Sequence, residues 1–175
     1  MNDDLIYDTR FNENEWFVIA LFVIGTGIIW LFPRRFSPTQ TTFTMLFGIT
    51  VGLIVDHTIQ VPPFKLYDIG DRAKYEWFDV FSYVMYAPFG YWFIYWHERF
   101  RLSGFLTVAY IAFWTAIAIG VEWLGLKVGL FHYRNGYQIL YSIPIYLFVQ
   151  SLTLGLYRLV FAPSRYQKPR KSLEK

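Results

Sequence analysis

Cysteine is absent from the 175-residue chain, which excludes disulfides, thiolate nucleophiles and thiolate metal ligands. Charge is scarce as well: 17% of residues are Asp, Glu, Lys or Arg, where a soluble domain averages about a quarter. Neither a close metal-binding spacing such as HExxH nor a GxSxG nucleophile elbow is present, and there is no internal repeat. The acidic start, Met1-Asn2-Asp3-Asp4-Leu5-Ile6-Tyr7-Asp8, lacks the positive region of a signal peptide, so the first apolar segment is expected to be retained. A net charge of +3 invites a nucleic-acid reading, but the bases sit beside the ends of apolar blocks, and nucleic-acid binding is rejected.

What the chain does have is apolar surface, 55% hydrophobic residues and 22% aromatic ones, gathered into five blocks separated by charge. The expected fold is an all-α, polytopic membrane bundle of five transmembrane helices at about 16–32, 38–59, 77–96, 105–126 and 139–161. Residues 1–162 form one transmembrane domain, and 163–175 a basic cytoplasmic tail. Ser37-Pro38 reads as an N-cap followed by a first-turn proline. Gly25 and Gly27 are small enough to admit a neighbouring helix. Gly48 and Gly52 form a small-xxx-small pair suited to helix–helix association, and four residues further that face ends in Asp56. Residues 60–75 read as the longest loop, with Pro62-Pro63 and a turn at Asp68-Ile69-Gly70-Asp71. In the third span, Pro88 leaves the Val84 carbonyl without its helical partner, and a kink is expected.

Arg34, Arg35, Arg99, Arg101, Arg158 and the tail bases fall on one side of this arrangement. Arg10, Lys65, Arg72, Lys74, Lys127 and Arg134 fall opposite. Because the side richer in Lys and Arg faces the cytoplasm, the N-terminus is expected outside and the C-terminus inside a multi-pass protein of the cytoplasmic membrane.

Glu122 is the only charge between Phe105 and Leu126, and an acid at membrane depth is by default a functional-site hypothesis. Asp56 and His57, Asp79, Glu122, and His132 with Arg134 all fall at the outer level, on separate segments. Converging acids and imidazoles are what metal binding or acid–base chemistry requires. Tyr83 and Tyr86 follow Asp79 at helical spacing and extend the polar stripe. Each acid has a plainer account: Asp79 and Glu76 suit the positive end of a helix dipole, Asp56 an interfacial position, and Glu122 a structural pairing with Arg134 or Lys127. Trp77, Tyr83, Tyr86, Tyr91, Trp92, Tyr95 and Trp96 suit either a lipid or isoprenoid groove or ordinary packing and an aromatic belt. The residues name no metal and no cofactor.

The run Tyr75-Glu76-Trp77-Phe78-Asp79, continuing to Pro88-Phe89-Gly90-Tyr91 with Glu122-Trp123 and Tyr133, resembles small five-span membrane proteins of endospore-forming Firmicutes, a resemblance that implies no activity. Locally, Glu122-x-x-Gly125-x-x-x-Gly129-x-x-x-Tyr133 with Ile143-Pro144-Ile145 is similar to the core of heterodimeric-type lycopene cyclases. That family follows its proline with paired acids, its implied proton donors. Here Pro144-Ile145 is followed by Tyr146-Leu147, so only a helical scaffold is implied. The leading expectation is an outward-facing acidic pocket that binds a cation or a polar lipid head group. The alternatives are a membrane enzyme acting on a lipid or isoprenoid, with Glu122 and Asp79 as acid and base, and a small ion or proton translocator.

Overall fold

The structure, a computed structural model, describes residues 5–72 and 78–161. Glu76, Trp77, Lys74 and the basic tail therefore lie outside the described residues. Helix α1 (Glu13–Leu31) starts from a capping box in which the Asn12 side chain accepts the Asn14 amide at 3.1 Å and Glu15 accepts the Asn12 amide at 2.6 Å. Helix α2 (Pro38–Gln60) starts at the expected Ser37 cap with Pro38 at its first position, and Gln40 closes the box at 2.9 Å. Helix α5 (Phe105–Lys127) and helix α6 (Ser142–Phe161), the latter entered through a 3₁₀ turn at Ile139–Tyr141, complete the long elements.

Four helical segments are long and apolar enough to cross a membrane: Glu13–Leu31, Pro38–Gln60, Phe105–Lys127 and Ile139–Phe161. Their burial is inverted relative to a soluble protein. Thr44 and Asp56 of α2, Thr115 and Glu122 of α5, and Ser142 and Thr153 of α6 point inward, while Leu46, Ile54, Phe113 and Phe148 stand exposed. Apolar side chains outside and polar ones inside is the arrangement that a hydrocarbon solvent favours.

The segment expected as a third span differs from the other four. It is divided at Met85 into α3 (Asp79–Val84) and α4 (Tyr86–Phe100), neither of them long enough to cross alone. The break follows Val84, whose carbonyl Pro88 leaves without an amide partner, so the interruption falls where the proline places it. Helix α4 is the buried centre of the bundle, with Ile94 and Tyr95 almost fully enclosed. Glycine makes this possible. A Cβ on Gly48 would stand 2.7 Å from the Tyr86 carbonyl oxygen, and one on Gly25 would stand 2.8 Å from the Pro88 ring. The small face of α2 is thus occupied within the chain by α4, and Gly25 receives α4 on the α1 side, whereas Gly27 faces open space.

Residues 60–75, expected as a loop, contribute strand β1 (Tyr67–Ile69), which pairs antiparallel with β2 (Phe131–Tyr133) in the register Tyr67↔Tyr133, Asp68↔His132, Ile69↔Phe131. The expected turn at Asp68–Asp71 is corrected accordingly: Asp68 and Ile69 are strand residues, and the bend falls at Gly70, with φ +77°. An isolated bridge between Ile6 and Arg72 ties the N-terminal segment to the chain just after β1. Three residues per strand are too few for period-two alternation to be read from sequence. The sheet forms a cap over the end of the bundle where α2 and α5 finish and α6 begins.

Candidate functional site

Beneath the cap, α1, α2, α4, α5 and α6 line a partly open cavity of about 180 Å³. Its roof is Tyr67, Phe131 and Tyr137; its walls are mostly apolar, with Val51, Ile117 and Ile145 among them; Thr153 and Gln150 line it further along α6. Two acids reach it from different helices, Asp56 of α2 and Glu122 of α5, 4% and 6% exposed.

Hydroxyls surround both carboxylates. Tyr67 donates to Asp56 Oδ1, and Tyr86 donates to Oδ2 at 3.3 Å. Tyr133 and Ser142 each donate to Glu122 Oε1 at 2.7 Å, and Tyr137 lies 2.9 Å from Ser142 Oγ. Tyr146, one turn beyond Ser142, is close enough to Glu122 to interact with it, yet Oε2 of Glu122 has no hydrogen-bond partner among the described residues. No Lys, Arg or His lines the cavity. The ion pairing of Glu122 with Arg134 or Lys127 that the sequence allowed does not form: Arg134 pairs with Asp68 at 2.8 Å, and Lys127 lies over the Trp123 ring.

Local chemistry explains how the cap delivers its tyrosines. Gly129, at φ +76°, reverses the chain after α5, and Leu130 donates its amide to the Gly125 carbonyl at 2.8 Å. A Cβ on Gly125 would stand 2.7 Å from the Phe131 ring, so glycine there lets β2 fold back closely. Tyr133 consequently returns to Glu122, eleven residues earlier. Burial, and then the bond to the Glu122 carboxylate, hold the Tyr133 phenol well above its ordinary range, and burial followed by the charge of Asp56 does the same for Tyr67. Both remain neutral donors.

Of the expected site residues, the structure brings Glu122, Asp56 and Tyr86 together. Asp79 lies elsewhere, in a small recess with Asn14, Glu15 and Asp71. His57 and Tyr83 face one another at the side of the bundle, ring centroids 5.8 Å apart, and His57 Nδ1 lies 3.1 Å from the Leu53 carbonyl. His132 and Arg134 belong to the cap, where His132 stacks on Tyr7 at 3.7 Å and Tyr7 donates to Asp68 at 2.7 Å. Among the described residues no three His, Asp or Glu side chains are placed to hold a metal ion. The aromatic groove has a similar outcome. Of its described members only Tyr86 lines the cavity, while Tyr91, Trp92 and Tyr95 pack against one another and against Phe32 and Phe36.

Tyr67, Ser142 and Tyr137 were not legible as site residues, because the sheet and the 3₁₀ turn that position them are each three residues long. Tyr133 and Tyr146 did carry a signal, standing in or beside the Glu122, Gly125, Gly129 and Pro144 pattern. Comparison with protein-family models, with curated proteins and with solved structures finds no match to this chain.

Proposed function

We propose that the protein is a five-crossing membrane protein whose outward-facing cavity binds an amphipathic molecule, its polar head against Asp56 and Glu122 and its apolar part along the helices beneath. The observation that carries this reading is the meeting, in one otherwise apolar cavity, of two buried carboxylates that lie 66 residues apart in sequence and have no base beside them. Pockets for small molecules share this character, mostly apolar with a few convergent polar groups. The fifth crossing is α3 with α4, sheltered inside the other four helices, where polar groups such as His97 are tolerated. Sidedness rests on Arg34, Arg35, Arg99, Arg101 and Arg158 at the end opposite the cap. Reporter fusions after residues 36, 70, 102 and 134 test it, and a cytoplasmic signal from the fusion at 70 refutes it.

Binding is tested by mass spectrometry of lipids that co-purify with the protein. A species enriched over the bulk extract is expected with the parent and lost in Ala118→Trp, which fills the cavity from α5. Equal lipid profiles for the two proteins would contradict the reading.

A second reading, acid–base chemistry on a lipid or isoprenoid, is favoured by one specific feature: the two carboxylates have different donor sets, two phenols at Asp56, and a phenol with an aliphatic hydroxyl at Glu122. In that case the pair is Glu122 and Asp56, with Asp79 replaced because it lies in a different recess. Turnover of a bound lipid that disappears in Glu122→Gln while binding persists would favour the enzyme over the binding protein.

A further inference from the structure

The hydrogen-bond inventory of the cavity narrows what its occupant can be. A hydroxyl has one proton to donate. Tyr67 and Tyr86 give theirs to Asp56; Tyr133 and Ser142 give theirs to Glu122. Because the Ser142 proton is used in this way, the contact at 2.9 Å between Tyr137 and Ser142 runs from the phenol to the serine oxygen. What these five hydroxyls still offer is lone pairs; Tyr146, the sixth hydroxyl beside Glu122, makes no hydrogen bond to its Oε2. Glu122 Oε2 adds an acceptor that is buried with its residue at 6% exposure and has no partner among the described residues. No cationic side chain lines the cavity. The polar end is therefore rich in acceptors, and its two buried acids have no cationic partner.

We propose that the amphiphile taken by this cavity carries a protonated primary amine as its head group. The inference rests on the amphiphile-binding reading above and adds the chemistry of the head. An ammonium group supplies N–H donors to Glu122 Oε2 and to the phenol oxygens, and it supplies the missing positive charge. Tyr67, Tyr86 and Tyr146 line the same space with aromatic rings, which suit a cation. A quaternary ammonium brings charge without N–H donors, an alcohol brings a single donor without charge, and a phosphate brings charge of the wrong sign. The apolar part then runs toward Thr115 and Gln150, which are hydrogen-bonded to each other at 3.0 Å. Thr115 lies seven residues from Glu122 along α5, or about 10 Å at 1.5 Å per residue.

The test is competition against radiolabelled dodecylamine on the full chain in a nonionic detergent, read by scintillation proximity. The competitors are dodecylamine, dodecyltrimethylammonium, dodecanol, dodecyl phosphate and ethylamine. Dodecylamine is expected to compete at roughly tenfold lower concentration than each of the others, and Glu122→Gln to weaken its binding by roughly tenfold. Phe113→Leu, on the exposed side of α5, should leave binding unchanged. The ranking on the parent protein decides the matter even if Glu122→Gln does not fold. Equal competition by all four twelve-carbon compounds would overturn the amine head while leaving the amphiphile reading in place. Ethylamine competing as well as dodecylamine would overturn the amphiphile reading and keep the amine. No saturable dodecylamine binding would sink both.

Discussion

The two halves of this bundle are built from the same residue types and come out opposite. In the half away from the cap, Tyr91, Trp92 and Tyr95 of α4 interlock with Phe32 and Phe36, and the polar atoms of the last two go to the backbone: Trp92 Nε1 donates to the Gly25 carbonyl at 2.8 Å and Tyr95 to that of Pro33 at 3.2 Å. In the half under the cap, the tyrosines donate to carboxylates around a space that no side chain fills. A phenol bonded to a backbone carbonyl completes a packed core, because each partner satisfies the other. A phenol bonded to a buried acid leaves that acid without a cationic partner. Tyrosine content therefore does not distinguish core from site; the identity of the acceptor does.

Four measurements would break or sharpen this contrast. The largest effect belongs to the filled half: Trp92→Ala should cost about 3–5 kcal/mol of stability, seen as a large fall in the detergent melting temperature, with the preference among amphiphiles unchanged. A variant that melts normally and loses that preference would mean the two halves are not separate. Next, Arg134→Ala strips the cation from buried Asp68 and should weaken the cap by about 3 kcal/mol, read as faster amide exchange in β1 and β2 with α4 protected as before. Exchange that rises throughout the bundle would show that the cap and bundle unfold together.

Glu122→Gln is expected to change stability by only about 1 kcal/mol, since the amide oxygen still accepts from Tyr133 and Ser142. A large destabilisation would make Glu122 a structural residue. The smallest effect is that of pH on the cap. Burial, foremost, holds His132 below its ordinary 6.5, against the opposing Gly129 and Gly70 backbone and the Asp68 and Asp71 charges. Below pH 6.5 the unfolded chain binds a proton that the folded cap does not, so cap stability is complete above 6.5 and declines as pH falls. Tyr7, pushed up to about 12 by burial and its bond to Asp68, has the opposite sign: the folded cap keeps a proton that the unfolded chain loses, so stability declines from pH 10 to 12. Protection factors in β1 and β2, taken relative to the intrinsic exchange rate at each pH, should therefore be highest between these limits, and a cap whose protection rises on acidification would contradict the assignment of His132.

By itself the sequence determined the long helices, because hydrophobic length, the Ser37 cap and the Pro88 interruption act locally and need no partner. It also singled out Glu122 and Asp56, since an acid within or ending an apolar run is conspicuous without any contact being known. Only the tertiary structure decided which acids meet. Asp79 stands at the same level as Asp56 and Glu122 in the sequence, yet it points into the recess with Asn14 and Asp71. Levels along a helix can be counted, whereas the direction a residue faces depends on which neighbour its helix packs against. The cap depended on folding still more. Tyr67 and Tyr133 reach Asp56 and Glu122 because two three-residue strands, more than sixty residues apart, pair over the end of the bundle. The reversal at Gly129 and the close approach of Phe131 to Gly125 set β2 in place locally, whereas the Arg134–Asp68 ion pair that ties it to β1 is a contact that no local window contains.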